Sequence, residues 1–370
     1  MNDRQDGPGN GYTDTIVIGG GQTGLTVGYN LAQRGVDFVI LDANERVGDA
    51  WRKRWDSLLL FTPARYNGLP GMPFPAKADA FVTKDEVAAY LEAYAELNDL
   101  PVRSNTKVSK VSHDGETYIV EAGDRVLRSR NVVVAMANYQ IPHVPDFAPD
   151  LDPDIVQMHS SQYLRPSQLA EGPALVVGLG NSGADIGLEL AHHRETYIAG
   201  TPGVVIPFRI EPWLGRNVGV RLVRFAAVKV LNTNTFIGRK ARPKMMQHSG
   251  GPIVRVKPDD LVAAGAHRVP RVTGVDNGRP VLADGTVLDV ANVVWCTGFR
   301  HGFDWIDLPV FDDHGLPIHE RGVVASQAGL YFCGLFFLHA LWSETLTGMP
   351  IDAAYVADQL VARKQEVLTG

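Results

Sequence analysis

Two glycine-rich segments of the chain have the spacing that binds phosphate groups. The pattern Gly-x-Gly-x-x-Gly occurs at residues 19–24 and again at residues 178–183, each time directly after a short apolar run. The first glycine allows a sharp turn, the second lets a pyrophosphate approach the backbone, and the third lets the next helix pack closely on the strand. The N-terminus of that helix offers N–H groups to the phosphates. The sequence therefore predicts two dinucleotide sites.

An acidic residue accompanies the first turn but not the second. A second apolar run, 36–41, follows the first turn and ends at Asp42. A carboxylate at this place accepts hydrogen bonds from a ribose hydroxyl, whereas it would repel a 2′-phosphate. After the second turn the equivalent place is 199–201, Ala-Gly-Thr, where Thr201 can donate one hydrogen bond and Arg209 lies a little downstream. The second site is therefore expected to take NADP.

The similarity between the two halves of the chain extends beyond the turns. Residues 126–133 align without gaps with residues 287–294, and each segment follows a turn, Gly-Asp at 123–124 and Asp-Gly at 284–285. We therefore expect an α/β fold with two Rossmann-like dinucleotide-binding domains, the second inserted in the first.

The expected domain limits follow from this repeat. The first domain is predicted to comprise residues 13–145 together with 284–370, and the inserted domain residues 155–283. A proline-rich stretch near residues 142–153 would carry the chain from one to the other.

Composition narrows the classes of function. The 370 residues carry a formal net charge of -6, so no overall basic field attracts nucleic acid. The two cysteines, Cys296 and Cys333, have neither Cys-x-x-Cys nor metal-ligand spacing, which favours a reducing cytoplasm and predicts no metal site. No apolar run approaches the roughly 20 residues of a membrane-spanning helix. The nearest, 218–231, could be an amphipathic helix that touches a membrane, lines a substrate channel or packs on the protein, and packing is the preferred interpretation.

Further motifs surround the glycine turns in a definite order. They are Gly-Gly-Gly-Gln-Thr-Gly-Leu at 19–25, Val-Gly-Asp-Ala-Trp-Arg at 47–52, Asp-Ser-Leu at 56–58, Thr-Pro at 62–63, Met-Pro-Phe-Pro at 72–75, Tyr-Leu-Glu at 90–92, Gly-Leu-Gly-Asn-Ser-Gly-Ala-Asp at 178–185, Trp-Cys-Thr-Gly-Phe at 295–299 and Gly-Leu-Tyr at 329–331. Together they resemble the flavin-containing monooxygenase superfamily, in particular its bacterial and YUCCA-like class B flavoprotein members. The resemblance extends from about residue 13 to the C-terminus.

The resemblance implies cofactor-binding roles for individual residues. Those implied for FAD are Gly19, Gly21 and Gly24 at the pyrophosphate, Asp42 at the adenosine ribose, and Gly48, Trp51, Arg52 and Thr62 along the flavin. Gln22 is a further expected cofactor-binding residue. Those implied for NADP are Gly178, Gly180, Asn181, Ser182 and Gly183. Thr201, Gly298 and Gly334 complete the expected cofactor-binding set.

Two positions depart from the family pattern. The fingerprint Phe-x-Gly-x-x-x-His-x-x-x-Tyr is present only in its second half, as His159 and Tyr163, which are the candidates for a catalytic role; the catalytic group is otherwise undetermined. Residues 135–137 read Ala-Met-Ala where the family has Ala-Thr-Gly. Because glycine supplies backbone freedom, a stiffer first crossover is expected.

The implied activity is NADPH-driven monooxygenation. NADPH would give a hydride to FAD, and a flavin C(4a)-peroxide formed with O₂ would insert one oxygen atom into a small organic substrate. Two alternatives stay open: an NAD(P)H-dependent flavin reductase or oxidase, and a non-catalytic flavin sensor. The absence of a Cys-x-x-Cys pair argues against a disulfide reductase.

The expected partners are the substrate and O₂, without nucleic acid and without an integral membrane segment, while a homodimer stays open. Apolar residues near the C-terminus and after the first motifs could line a hydrophobic substrate pocket or form plain core. They are Phe336, Phe337, Leu338 and Trp342, with Phe61 and Tyr66.

Overall fold

The computed structural model describes residues 11–247 and 251–369. In chain order the strands are β1 (Tyr12–Ile18), β2 (Phe38–Leu41), β3 (Leu59–Pro63), β4 (Phe81–Thr83), β5 (Val102–Arg103), β6 (Val108–His113), β7 (Tyr118–Ala122), β8 (Arg125–Val134), β9 (Ile141–Pro142), β10 (Val156–His159), β11 (Ala174–Val177), β12 (Thr196–Ala199), β13 (His267–Val269), β14 (Val272–Asp276), β15 (Arg279–Leu282), β16 (Asn292–Trp295), β17 (Phe299–Arg300) and β18 (Leu330–Phe332). The helices are α1 (Gln22–Ala32), α2 (Asp49–Arg52), α3 (Lys84–Leu97), α4 (Asn181–Ala191), α5 (Val220–Phe225), α6 (Phe236–Gln247), α7 (Pro258–Ala263) and α8 (Met349–Thr369).

Two sheets with the same parallel strand order form the two units of the fold. The first sheet contains the order β5-β2-β1-β8-β18, with β7 and β6 added antiparallel beside β8. The second has the order β13-β12-β11-β16-β10. Because β10 to β16 lie in the chain between β8 and β18, the second unit is inserted in the first. The predicted α/β class with two Rossmann-like domains is confirmed.

The register of the central strands repeats as well. Thr15 of β1 lies opposite Asn131 of β8, and Ala174 of β11 lies opposite Asn292 of β16. Both asparagines are buried, and each side chain is hydrogen-bonded: Asn131 accepts from Arg363, and Asn292 accepts from the Ala170 N–H. The aligned residues 131–133 and 292–294 therefore lie in equivalent strands, whereas residues 287–291 precede β16.

One predicted domain limit differs from the sheet topology. The predicted boundary between residues 283 and 284 assigns β16 to the first unit, whereas β16 lies in the second sheet between β10 and β11. The reason is that its valines, Val293 and Val294, are fully buried between those neighbours. We propose that the inserted unit extends to about Cys296.

The two connections between the units run side by side. Residues Ile141 and Pro142 of β9, on the outgoing connection, pair antiparallel with Arg300 and Phe299 of β17, on the returning one. Ala137 is not among the residues with positive φ, whereas Gly298 has φ +82°. An alanine therefore fits the first connection without strain, and the second keeps its glycine.

The predicted amphipathic segment is a helix that packs on one side only. Helix α5 is flanked by π-helical turns at Gly215–Gly219 and Ala226–Val230. Val220 and Val228 are buried, but Leu222 and Phe225 are exposed. The packing interpretation thus holds for its inner face alone. Within the described part of the chain, no helix is long and apolar enough to cross a membrane.

Candidate dinucleotide and active site

The first glycine turn has room for a phosphate in front of its second glycine. Gly19 has φ +108°, and a Cβ on Gly24 would lie 1.8 Å from the Gly19 carbonyl oxygen. A Cβ on Gly21 would meet nothing within 4 Å. The fold itself therefore requires Gly19 and Gly24, whereas Gly21 faces open space at the start of α1.

The second glycine turn reproduces this geometry. Gly178 has φ +105°, a Cβ on Gly183 would lie 1.9 Å from the Gly178 carbonyl oxygen, and a Cβ on Gly180 would meet nothing within 4 Å. Among the described residues, no side chain caps the N-terminus of α1 or α4. Each turn therefore presents uncapped helix N–H groups to open space, which fits the pyrophosphate of a dinucleotide.

Asp42 lies against the first turn. Its carboxylate is buried at the end of β2, and Oδ1 accepts hydrogen bonds from the backbone and side-chain N–H groups of Asn44, at 2.9 and 3.0 Å. Oδ2 would be 2.6 Å from a Cβ on Gly20. The carboxylate thus has one oxygen held by its own turn and the other beside the glycines, where a ribose would lie.

Gln22 connects the first turn to two other parts of the site. Its Oε1 accepts a hydrogen bond from Trp51 Nε1 at 3.0 Å, and its Nε2 donates to the Glu344 carbonyl at 3.1 Å. Gly334, after β18, also approaches α1, because a Cβ there would be 2.5 Å from Thr23 Oγ1. The structure therefore brings three separately predicted residues, Gln22, Trp51 and Gly334, together at one turn.

Three predicted flavin-lining residues are engaged within the protein. Gly48 has φ +88°, and a Cβ on it would be 2.6 Å from a backbone oxygen of α3. The Arg52 guanidinium donates to Glu92 at 2.6 Å, and the Thr62 hydroxyl donates to Asn67 Oδ1 at 2.5 Å. The polar side-chain atoms of Arg52 and Thr62 are thus hydrogen-bonded to neighbouring residues of the protein.

In the second unit Asn181 has a structural contact of its own. Its Nδ2 donates to the Pro252 carbonyl at 2.9 Å, and its Oδ1 accepts from Val254 N–H at 3.0 Å. The side chain thereby ties the start of α4 to the segment that precedes α7. Ser182 is partly exposed and Thr201 is exposed, so both are accessible to a ligand.

The cation beside the end of β12 is Arg268, which the sequence analysis missed. Its Nη2 donates to the Gly200 carbonyl at 3.0 Å, while Arg209 instead forms an ion pair with Asp260 at 2.5 Å. Arg268 reaches this place because β13 pairs in parallel with β12, with Ile198 opposite Arg268. Arg268 also has a buried Nε with no hydrogen-bond partner among the described residues. This arrangement suits a 2′-phosphate.

His159 connects β10 to the returning crossover. The ring is buried, with Nε2 2.9 Å from the Gly298 carbonyl oxygen and Nδ1 2.9 Å from Ser161 Oγ. Its edge also lies against Phe299, at 4.8 Å between ring centroids. Burial lowers the pKa of the ring, which favours the neutral form with Nε2–H donating to the carbonyl. His159 therefore positions the Gly298 crossover.

Tyr163 is fully buried in the second unit. Its hydroxyl donates to Glu189 on α4 at 2.6 Å. Burial first, and then the Glu189 carboxylate, raises the pKa of this hydroxyl. The geometry thus gives Tyr163 a structural hydrogen bond, and its predicted catalytic role has no support from these contacts.

The side chain of Glu344 meets the first crossover at Tyr139. The Tyr139 hydroxyl donates to Glu344 Oε2 at 2.8 Å, and Asn138 Oδ1 accepts the Phe336 N–H at 2.7 Å. Burial raises the pKa of Glu344 to about 7, and the hydrogen bond from Tyr139 acts in the opposite direction. The sequence offered no signal for this pair, because the two residues lie in distant segments that meet only in the fold.

A small apolar cavity lies between the two units. Its lining combines Phe61 and Trp342 with Ile206, Phe208, Ile210, Val220, Val223 and Val254. Of the six residues predicted to line a hydrophobic pocket or form core, two, Phe61 and Trp342, line this cavity. Phe336, Phe337 and Leu338 are buried in core clusters, and Tyr66 lies beneath the guanidinium groups of Arg65 and Arg224. Among the described residues, no group of three or more His, Cys, Asp or Glu is placed to hold a metal ion.

Comparisons with known proteins place this geometry in a family. A profile of the pyridine nucleotide-disulphide oxidoreductase family matches residues 16–202. An uncharacterized CzcO-like oxidoreductase from Geobacillus kaustophilus is 37% identical over 94% of this chain and 98% of its own length. Indole-3-pyruvate monooxygenase YUCCA1 from Oryza sativa is 29% identical over 77% of this chain and 76% of its own.

A solved structure agrees in fold over nearly the whole chain. The flavin-containing monooxygenase from Stenotrophomonas maltophilia superposes with a TM-score of 0.78 at 29% identity, covering 95% of this chain and 99% of the other. These matches confirm the resemblance that the motifs predicted. The chain belongs to the pyridine nucleotide-disulphide oxidoreductase family and to the flavin-containing monooxygenase superfamily.

Proposed function

We propose that this protein is an FAD-dependent, NADPH-driven monooxygenase that transfers one oxygen atom from O₂ to a small organic substrate. The observation that carries the proposal is the pair of glycine turns with equal geometry, each open at its second glycine, in a chain of the flavin-containing monooxygenase superfamily. FAD bound at the first turn supplies the redox chemistry, taking a hydride from NADPH and passing electrons to dioxygen.

The residues of the first unit hold and orient the flavin nucleotide. The N–H groups at the start of α1 bind its pyrophosphate, and the free oxygen of Asp42 accepts hydrogen bonds from its adenosine ribose. Gln22 keeps the turn in register with Trp51 and with the segment at Glu344 through its two side-chain hydrogen bonds. FAD retention thus depends on contacts within one unit.

The residues of the second unit favour NADPH over NADH. The end of β12 carries no carboxylate, and Arg268 lies at the Gly200 carbonyl with a buried nitrogen that lacks a partner among the described residues. A guanidinium at this place stabilises the two negative charges of a 2′-phosphate, whereas the 2′-hydroxyl of NADH offers no charge to it.

The pair Tyr139 and Glu344 holds a proton at the edge of the site. Burial raises the pKa of the Glu344 carboxyl to about 7, which favours retention of its proton near neutral pH. Oε2 of Glu344 and the hydroxyl of Tyr139 are in direct hydrogen-bond contact, so a proton can pass between solvent and the site along them. The cavity lined by Phe61 and Trp342 is apolar but holds only about 10 Å³, roughly one water-sized sphere, so a substrate bound there would have to displace the lining side chains.

Anaerobic reduction followed by oxygen tests the proposal. The flavin-loaded protein is reduced with NADPH or NADH, and spectra are recorded after O₂ is admitted. A transient spectrum that belongs to neither reduced nor oxidised flavin, with product formed per NADPH consumed, supports monooxygenation. Direct return to oxidised flavin would instead identify a reductase or oxidase, and no reduction by either nucleotide would identify a sensor. The rice relative is named for indole-3-pyruvate, so aromatic 2-oxo acids are the first substrates to screen.

The assignment of Arg268 has a matched control within the chain. Arg268→Gln is expected to raise KM for NADPH at least tenfold while leaving KM for NADH within about twofold. Arg209→Gln removes a second arginine, whose ion pair with Asp260 occupies it elsewhere, and should leave both constants unchanged. Equal effects of the two substitutions on NADPH would contradict the assignment.

A further inference from the structure

One segment of the inserted unit is strongly cationic although the whole chain is acidic. Residues 212–247 contain eight Lys and Arg residues and no Asp or Glu, whereas the chain has a net charge of -6. Arg221, Lys229, Arg239 and Lys240 are all exposed. Positive charge is thus concentrated on the helices α5 and α6 and on the turns beside them.

The same segment exposes an apolar stripe. Counted along the helix that contains α5, positions 214, 218, 222 and 225 are four, four and three residues apart and therefore share one face. The residues are Leu214, Val218, Leu222 and Phe225, with 68%, 45%, 62% and 59% of their surface exposed. Trp213 precedes them at 70%, and Phe236, at 74%, begins α6.

This helix is apolar on its inner face as well. Val220 and Val223 line the cavity that also contains Phe61 and Trp342. A helix that is apolar on both sides separates two apolar environments, or is buried on both. The inner environment is the cavity, and the outer face requires an apolar neighbour that also accommodates cations.

We propose that residues 212–247 dock on the surface of an anionic lipid bilayer, with α5 lying in the plane of the interface. Leu222 and Phe225 enter the acyl boundary, and Arg221 and Lys229 contact lipid phosphates, which is the residue pattern of interfacial amphipathic helices. A second copy of the chain fits less well, because a two-fold contact would bring the same cationic surface against itself. In this position the cavity lies directly behind the docked helix, on the side away from the lipid.

Vesicle sedimentation of the flavin-loaded full chain tests the proposal. The protein is expected to pellet with vesicles of equal parts phosphatidylglycerol and phosphatidylcholine and to stay in solution with phosphatidylcholine alone. Raising the salt from about 0.1 to about 0.5 M should weaken the binding severalfold, because exposed charges are screened. The double variants L222S/F225S and R221E/K229E should each lower partitioning about tenfold or more.

A matched control comes from another exposed leucine. Leu97, at the end of α3, has 66% of its surface exposed, so Leu97→Ser removes a similar side chain outside the segment and should leave partitioning unchanged. Flavin content and circular dichroism verify that each variant is folded. Partitioning that does not require anionic lipid, or that both double variants retain, would overturn the proposal. So would sedimentation velocity showing a lipid-free dimer that L222S/F225S dissociates, since the stripe would then bind a second copy.

Discussion

At the second glycine of each turn, a substitution by alanine adds one methyl group that should impair cofactor binding without disturbing the fold. Gly21 has φ -76° and ψ -172°, and Gly180 has φ -97° and ψ -164°, conformations that alanine adopts freely. Because a Cβ at either place meets nothing within 4 Å, Gly21→Ala should leave the cofactor-free fold intact. Because alanine lowers the conformational entropy of the unfolded chain, the substitution should even raise the free energy of unfolding by about 0.4–1 kcal/mol.

The same methyl group would occupy the space through which a pyrophosphate approaches α1. Loss of one charge-assisted hydrogen bond costs about 1.5–3 kcal/mol, so the Kd for FAD should rise about 10-fold to 150-fold. Gly180→Ala is the matched variant: it should leave the Kd for FAD unchanged and raise KM for NADPH by a similar factor. Gly24→Ala, whose Cβ would lie 1.8 Å from a carbonyl oxygen, should instead prevent stable folding.

The assays are flavin fluorescence titration of the cofactor-free protein, urea denaturation and steady-state kinetics. If Gly21→Ala bound FAD as tightly as the wild type, the reasoning that places the pyrophosphate at the first turn would be refuted. If the substitution unfolded the cofactor-free protein, the inference that a Cβ fits in front of Gly21 would be refuted.

Three further outcomes are expected. Asp42→Ala should raise the FAD dissociation rate about 10-fold or more, measured by flavin release on dilution, because ribose hydrogen bonds to a carboxylate are lost; unchanged occupancy would contradict the role of this residue. The rate of flavin reduction should titrate with a midpoint near pH 7; Glu344→Gln should abolish that step, and Tyr139→Phe should move it to higher pH, because the hydrogen bond that lowers the pKa of Glu344 is removed. Tyr163→Phe should cost about 1–2 kcal/mol in urea denaturation through the lost bond to Glu189, without changing KM for NADPH; a selective kinetic defect would restore its catalytic candidacy.

Local patterns predicted the two glycine turns well because their requirements are local. The turn at residues 178–183 lies between β11 and α4 as expected. Its first glycine is required by its own φ of +105°, and its third by the Gly178 carbonyl oxygen, 1.9 Å from where a Cβ would lie. The repeat also predicted which strands are equivalent. The boundary predicted at residue 283 follows the hairpin before β16, whereas the sheet pairing of β16 is the basis for the limit proposed near Cys296.

Contacts between distant segments could not be predicted in this way. Arg268 reaches Gly200 only because β13 pairs with β12, although a long segment of chain separates the two strands. The residues around Arg268 in the sequence therefore give no sign of this contact. Thr62 and Arg52 were predicted to lie along the flavin from their positions in the motifs. Their hydrogen-bond partners, Asn67 and Glu92, depend on how the chain packs and could not be predicted from the motifs. The pairing of Tyr139 with Glu344 belongs to the same class.

The ribbon of β9 and β17 has a mechanical consequence. Two chain connections that ran apart would fix the relative orientation of the units at two points, but here they are hydrogen-bonded side by side and act as one strap. A change in the relative orientation of the units would therefore bend both connections together, at this ribbon. His159 holds the returning connection at the Gly298 carbonyl, so the inserted unit itself restrains that bending.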